Sequence, residues 1–507
     1  MTPSSTPAWQ AHLPEGASLT AEDLVSERSL PSAWATRWRE DPLAPAVWHA
    51  TCGWLRNRDL DQRTRAVAGR FRAAGLGDGD RVLFSAASSP DLVVAHAAAL
   101  RAGLIVVPVN TGYRRAEVDH IASDAQAAAA VVDDAERGAW VREATGGAAV
   151  VTGVDVPLPE GAPGPLDTAG PDTPAMISYT SGTTGRPKGA VLTHGNLLAS
   201  AEAVRIAWRW TSADRLVLCL PLFHIHGLGV GLHGTLLTGA SAVLLERFDV
   251  DGVLDAVHEH AATMFFGVPT MYSRFAASER LPELGALRLC VAGSAPLPAA
   301  LHERITAVTG QRVLERYGMT ETVMNVSNPF EGERRPGSVG LPLPGVELKL
   351  DAEAPDGPGE ILLRGPNVFA GYWRNPEGTA EAFSDGWFRT GDIGERDPDG
   401  YVRIVGRAKE LIISGGYNVY PREVEDAVRS HPSVTDVAVV GIPDPEWGEV
   451  VTAVVEATGP ITVAELGAHV GERLALYKRP RRVRVVDALP RNALGKVMKH
   501  ELETDGT

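Results

Sequence analysis

Two apolar runs, Val82 to Ala86 and Leu104 to Val109, bracket an alanine-rich stretch from Asp91 to Ala102. Short runs apolar on both faces read as strands buried on both faces, and the stretch between them has the length of a helix. Strand, helix and strand in succession predict a βαβ unit, because parallel strands need a crossover connection and a helix supplies one. A layered α/β body is therefore expected. At 507 residues the chain is also too long for one ordinary core, so at least two domains are expected. The Pro- and Gly-rich segment from Val156 to Pro174 reads as a loop feeding a brief strand at Ala175 to Tyr179. A turn-rich stretch at Asp397 to Gly400 precedes a change of character. The last hundred or so residues then read as a compact α+β unit, with Pro421 in the first turn of a helix running through Val428 and a strand from Val434 to Gly441. The boundary is placed at Lys409, dividing the chain into 1–408 and 409–507. No internal repeat is visible.

Charge and composition exclude several functions. A net charge of −15 disfavours nucleic acid as a partner, since phosphate backbones are gripped by clustered Lys and Arg. No apolar run is long enough to span a membrane. The start, Met1-Thr2-Pro3-Ser4-Ser5, lacks the charged and apolar regions of a secretory signal, so a cytoplasmic location is expected. Cys52, Cys219 and Cys290 are odd in number and far apart, which suits buried free thiols better than disulfides or a zinc site.

The strongest chemical signal runs from Tyr179 to Gly189, Tyr-Thr-Ser-Gly-Thr-Thr-Gly-Arg-Pro-Lys-Gly, directly after a strand. Glycines let backbone donors approach a phosphate, hydroxyls add donors, and Lys188 adds a positive charge. No Gly-Lys-Ser/Thr triplet ends it, so it is not a Walker loop. By composition alone a surface turn is the alternative.

This stretch resembles the phosphate loop of the adenylate-forming superfamily of acyl-CoA synthetases, adenylation domains and luciferases. Downstream, Pro221-Leu222-Phe223-His224, Gly293-Ser294-Ala295-Pro296, Tyr317-Gly318-Met319-Thr320-Glu321, Thr390-Gly391-Asp392, Gly406-Arg407 and Gly495-Lys496 match that superfamily's motifs in order. The match covers the chain from about Asp78 onward, and the first fifty residues match poorly. The resemblance implies a large, multi-layered amino-terminal domain of helix-flanked sheets and a small mobile α+β carboxyl-terminal domain. It implies that ATP is held by Thr180, Ser181, Gly182, Thr183, Thr184, Gly185 and Lys188, by Gly293, Ser294 and Ala295, and by Glu315 through Met319. Thr320 and Glu321 are expected to hold Mg²⁺ against the phosphates, with Thr184 as a further oxygen ligand, since a hard cation takes oxygen donors. Asp392 is expected at the ribose hydroxyls and Arg407 at the ribose or phosphate side. Lys496 is expected to bridge the attacking carboxylate and the α-phosphate. The terminal domain is expected to rotate about Lys409 once acyl-AMP has formed, admitting coenzyme A beside Gly415 and Gly416.

Where many relatives carry glycine before the Tyr-Gly-Met-Thr-Glu motif, this chain has Arg316. A buried guanidinium needs a partner, so Arg316 predicts an anion in the acyl pocket. The string Glu315 to Asn325 is similar to that of malonyl-CoA and methylmalonyl-CoA synthetases. The resemblance implies malonate or a 2-substituted malonate as the acid. It also implies that His224 gates the acyl and thiol sites, and that Ile225, His226 and Met324 shape the pocket. Pairing of Arg316 with Glu315 is the alternative, and Arg247 and Arg274 are further candidates for the carboxylate. A carrier-protein acceptor, a non-catalytic nucleotide-binding module and a luciferase-type oxygenase are the competing readings. Oligomeric state is left open.

Overall fold

The structure, a computed structural model, describes residues 8–24, 28–180, 187–352, 354, 357–415, 417–471, 473–492 and 495–503. Ser181, Gly182, Thr183, Thr184, Gly185 and Gly416 lie outside the described residues, as does the Met1 to Ser5 start.

The βαβ expectation holds. Strands Arg81–Ser85 and Ile105–Pro108 pair in parallel, with Val82 opposite Val106, and the helix Pro90–Arg101 crosses between them. Ser89 caps this helix by accepting from the Leu92 amide, and proline occupies its first turn. Every residue of it except Asp91 is buried, which its near absence of charge allows. The chain divides into two compact units, residues 1–347 with 363–388 and residues 348–362 with 389–507.

The first unit contains two sheets. One has seven strands, in the order Gly371–Tyr372, Lys188–Thr193, Pro174–Thr180, Ile105–Pro108, Arg81–Ser85, Ala129–Val132, Val150–Thr152. The other has nine, and four of its neighbours, Arg215–Leu218, Met264–Gly267, Leu289–Ala292 and Leu314–Tyr317, run parallel. Parallel strands deliver their carboxyl ends to one rim, where open α/β sheets bind ligands. The loops that start at Cys219, Val268, Gly293 and Gly318 therefore share one edge. The first fifty residues are part of this unit, since Pro45–His49 pairs in parallel with Ser241–Leu244.

The second unit is built on the antiparallel pair Val434–Asp444 and Gly448–Ala457, with Arg482–Val486 added in parallel. Helices Pro421–Arg429 and Val463–Val470 cover it, burying Val424, Val428, Leu466 and Val470 against Val439, Val451 and Val455. The helix and the strand run slightly further than the sequence predicts. The division between units also falls elsewhere: Lys409 sits in the short turn Ala408–Glu410 inside the second unit, because Leu348–Leu362 and the chain from Arg389 pack with it.

Cys219 and Cys290 are buried free thiols as expected, whereas Cys52 is exposed. Among the described residues no helix is long and apolar enough to cross a membrane.

Candidate active site

Arg316, in the strand Leu314–Tyr317, points its guanidinium at the backbone of Gly293. A Cβ added there would lie 2.3 Å from Arg316 Cζ, so only glycine leaves room. The side chain is 6% exposed, and its Nε and Nη2 find no hydrogen-bond partner among the described residues. Burial pulls its pKa down to about 9, opposed by Tyr272, whose hydroxyl donates to Val291 O at 2.8 Å. The alternative pairing with Glu315 does not form. That carboxylate accepts instead from the backbone amides of Leu297 (3.3 Å) and Gly337 (2.9 Å), bracing the loops beside the strand. Arg247 and Arg274 are exposed, Arg274 lying over the Phe248 ring.

Two histidines stand near this cation. His226 is 2% exposed, stacks on Phe266, and has Nδ1 3.3 Å from Ser294 Oγ, while its Nε2 has no partner among the described residues. His224 accepts from the His226 amide at 3.3 Å, and burial followed by repulsion from Arg316 brings its pKa down to about 4. His226 is held well below its ordinary value for the same reasons in the same order. Both rings are therefore neutral at pH 7, and Arg316 alone supplies charge to the group.

The backbone after His224 opens into a π-helix, His226–Leu232, in which the Val230 amide reaches back five residues to Ile225 O at 3.0 Å. Such widened turns recur at functional sites. Ile225 is buried against Gly229, where a Cβ would meet Ile225 Cδ1 at 2.5 Å and Val323 Cγ1 at 3.5 Å. Met324 Sδ lies 3.1 Å from the Cβ position of Gly318. Ile225, Val323 and Met324 thus crowd the same loops. Val323 was not singled out by the sequence, yet it adopts φ +59°, a strained conformation for a β-branched residue, as Ser294 does at +70°.

The phosphate side is built from three segments. Lys188 and Thr180 are opposite one another in the pair Pro174–Thr180 and Lys188–Thr193. Lys188 Nζ lies 5.2 Å over the Tyr372 ring, and the Tyr372 hydroxyl donates to Glu321 Oε1 at 3.0 Å. Glu321 is 7% exposed, so it is not a solvated surface carboxylate. Among the described residues no group of three or more His, Cys, Asp or Glu could cage a metal. The buried Glu321 carboxylate, with Thr320 next to it in the chain, is an oxygen donor set that would suit Mg²⁺, a cation usually held by one or two carboxylates together with waters and substrate phosphates.

In the second unit, Asp392 and Arg407 face each other across antiparallel strands, with Arg407 Nε 3.0 Å from Asp392 Oδ1. Asp392 is buried, and its amide donates to Thr390 Oγ1 at 3.0 Å. Lys496 closes a turn, its amide donating to Asn492 Oδ1 at 3.0 Å and its carbonyl accepting from the Asn492 amide at 2.9 Å. Gly495 takes φ +77° to allow it. Burial and then Arg407 lower the Lys496 pKa, against Glu410 and Asp392. Gly415, at φ +58°, lies under the Trp447 ring, so the space expected for a pantetheine arm is bounded by an indole.

Residues 34–373 match the family described as AMP-binding enzyme, and residues 423–496 match the AMP-binding enzyme C-terminal domain. The chain belongs to the AMP-binding enzyme family. This AMP-binding enzyme is 39% identical to a feruloyl-CoA synthase of Amycolatopsis sp over 92% of its own length and 96% of the relative's. It is 36% identical to a mitochondrial malonate–CoA ligase of Mus musculus, over 88% and 86% of the two chains. Its fold superposes on ATP-bound MatB from Rhodopseudomonas palustris with a TM-score of 0.88 and 40% identity, covering 93% and 98% of the two chains. The superfamily resemblance seen in the ordered motifs is thereby borne out, and the AMP-binding enzyme match begins earlier than those motifs, within the first fifty residues.

Proposed function

We propose that this AMP-binding enzyme is an acid–thiol ligase that activates malonate or a 2-substituted malonate with ATP and passes the acyl group to coenzyme A. The carrying observation is Arg316, a buried guanidinium with two donors that find no partner among the described residues, beside the neutral His224 and His226. An uncompensated buried charge is costly, and an anion presented there removes the cost. A second carboxylate suits the planar fork of arginine.

In the first half-reaction one carboxylate oxygen of the acid attacks the α-phosphorus of ATP, and pyrophosphate leaves. Arg316 holds the other carboxylate, while Ile225, Val323 and Met324 limit the substituent between them. Asp392 and Arg407 bind the ribose side, Thr180 and Lys188 the phosphates, and Lys496 neutralises the attacking and accepting oxygens. Mg²⁺, when bound at Glu321, offsets phosphate charge. In the second half-reaction the thiolate of coenzyme A attacks the acyl carbon and AMP leaves, with His224 as the gate.

The relatives' names span an aromatic monocarboxylate and malonate, so the test is a substrate panel. AMP and thioester are measured with ATP, Mg²⁺ and coenzyme A against acetate, butyrate, ferulate, malonate and methylmalonate. Selective turnover of the dicarboxylates is expected, and Arg316→Ala should lower kcat/KM for them at least a hundredfold, on the order of 3 kcal/mol for a truncated buried charge pair. Preference for a monocarboxylate would remove the malonate reading and leave the ligase. AMP without a coenzyme A product would point to a carrier-protein acceptor.

A further inference from the structure

One phenol ring joins two parts of the phosphate side that are far apart in sequence. The strand Gly371–Tyr372 forms the edge of the seven-stranded sheet, with Tyr372 opposite Ala190 on the strand that also carries Lys188. Its placement is fixed on all sides. The Tyr372 amide donates to Thr379 Oγ1 at 2.9 Å, the Trp373 amide donates to Gly189 O at 2.7 Å, and the Phe369 amide donates to Glu321 O at 2.8 Å. Gly371, at φ +138°, lies so close to Thr379 that a Cβ would meet its Cγ2 at 2.8 Å. The ring is thereby locked with its face under the Lys188 ammonium and its hydroxyl on Glu321 Oε1.

We infer that Tyr372 is a positioning residue for the metal–nucleotide site, setting the orientation in which the Glu321 carboxylate meets a divalent cation and holding Lys188 over the ring for the phosphates. The inference rests on the reading of Glu321 as the Mg²⁺ carboxylate. A glutamate has three side-chain torsions to fix before it can bind a cation, and a hydrogen bond to one oxygen fixes the carboxylate plane in advance. The cation–π contact restrains Lys188 by a route independent of the hydroxyl, so the two functions of the ring can be separated.

Tyr372→Phe removes the hydroxyl and keeps the ring; Tyr372→Leu removes both. Mn²⁺ binding is followed by electron paramagnetic resonance with the α,β-methylene analogue of ATP, which cannot react. Metal-free binding of the same analogue is followed by calorimetry. Loss of a hydrogen bond to a metal-binding side chain is expected to weaken Mn²⁺ by about tenfold to a hundredfold in Tyr372→Phe, with metal-free nucleotide affinity and the KM for the acid unchanged. In Tyr372→Leu the metal-free affinity should fall as well. Glu321→Gln separates the two layers of the argument. If it leaves Mn²⁺ binding unchanged, the metal reading of Glu321 fails and the role of Tyr372 with it. If it weakens Mn²⁺ while Tyr372→Phe does not, the metal reading stands and the positioning role is overturned. Unchanged melting temperatures of the three variants confirm that folding is not what is measured.

Discussion

Lys496 and Arg316 are both cations whose charge is opposed by burial, but their surroundings differ. Arg316 has Tyr272 alone against its desolvation, whereas Lys496 has the carboxylates of Glu410 and Asp392 in its own unit. A lysine with a lowered pKa is charged below that pKa and loses its charge as pH rises through it, so adenylation should decline on the alkaline side earlier than an ordinary lysine would allow. Lys496→Ala should lower acid-dependent exchange of pyrophosphate into ATP by about a hundredfold or more, the scale of one lost transition-state contact, and spare thioester formation from supplied acyl-adenylate. Equal loss in both half-reactions would remove the assignment. The motif around Lys496 could be read from sequence because the turn is local, closed between Asn492 and Lys496. Arg316 could be read as an unusual residue at a known position, but its orphaned donors depend on Gly293 and on Glu315 being engaged elsewhere, facts that only the packed strands supply.

At the scale of elements, the turn that carries Lys496 is anchored just beyond it. Lys499 Nζ lies 3.0 Å from Glu410 and 2.8 Å from Glu425, which joins the carboxyl-terminal segment to the turn holding Lys409 and to the helix Pro421–Arg429. Both carboxylates raise the Lys499 pKa against its burial. Lys499→Met would leave two carboxylates facing each other and should destabilise the full chain by about 3 kcal/mol, read as a lower midpoint in urea. Glu425→Gln in the same background should recover part of that loss. Strands and helices of this kind were legible because apolar runs and a proline at a helix start are local signals. The unit boundary was not, since Leu348–Leu362 joins the second unit by tertiary packing that no composition change marks. Tyr372 was missed for a related reason: its partner Glu321 is 51 residues away and nothing in Gly371-Tyr372-Trp373 announces the contact.

For the whole molecule, the buried neutral histidines of the first unit include His12, His96, His194, His226 and His233, beside the His224 already described. Burial lowers His12 and His194 to about 4 and His96 to about 3, and holds His226 and His233 well below 6.5. Unfolded, each takes a proton near pH 6.5. Between that value and the folded pKa the unfolded chain binds more protons, so stability falls as pH drops, by roughly 1.4 kcal/mol per histidine per pH unit. Melting at pH 5.5 should occur roughly 10 °C below melting at pH 7.5. An unchanged transition would mean that these rings take up protons in the folded state. The sheet order of this same unit sets a timetable for its birth on the ribosome. The strand Pro45–His49 emerges early, yet the neighbour it pairs with in parallel is Ser241–Leu244. Until that segment has been made the strand has an unmet edge, and Lys188–Thr193 likewise waits for Gly371–Tyr372. The nascent chain therefore carries the Pro45–His49 edge unpaired until nearly half of it has been made, a window in which strand pairing with another chain competes with folding.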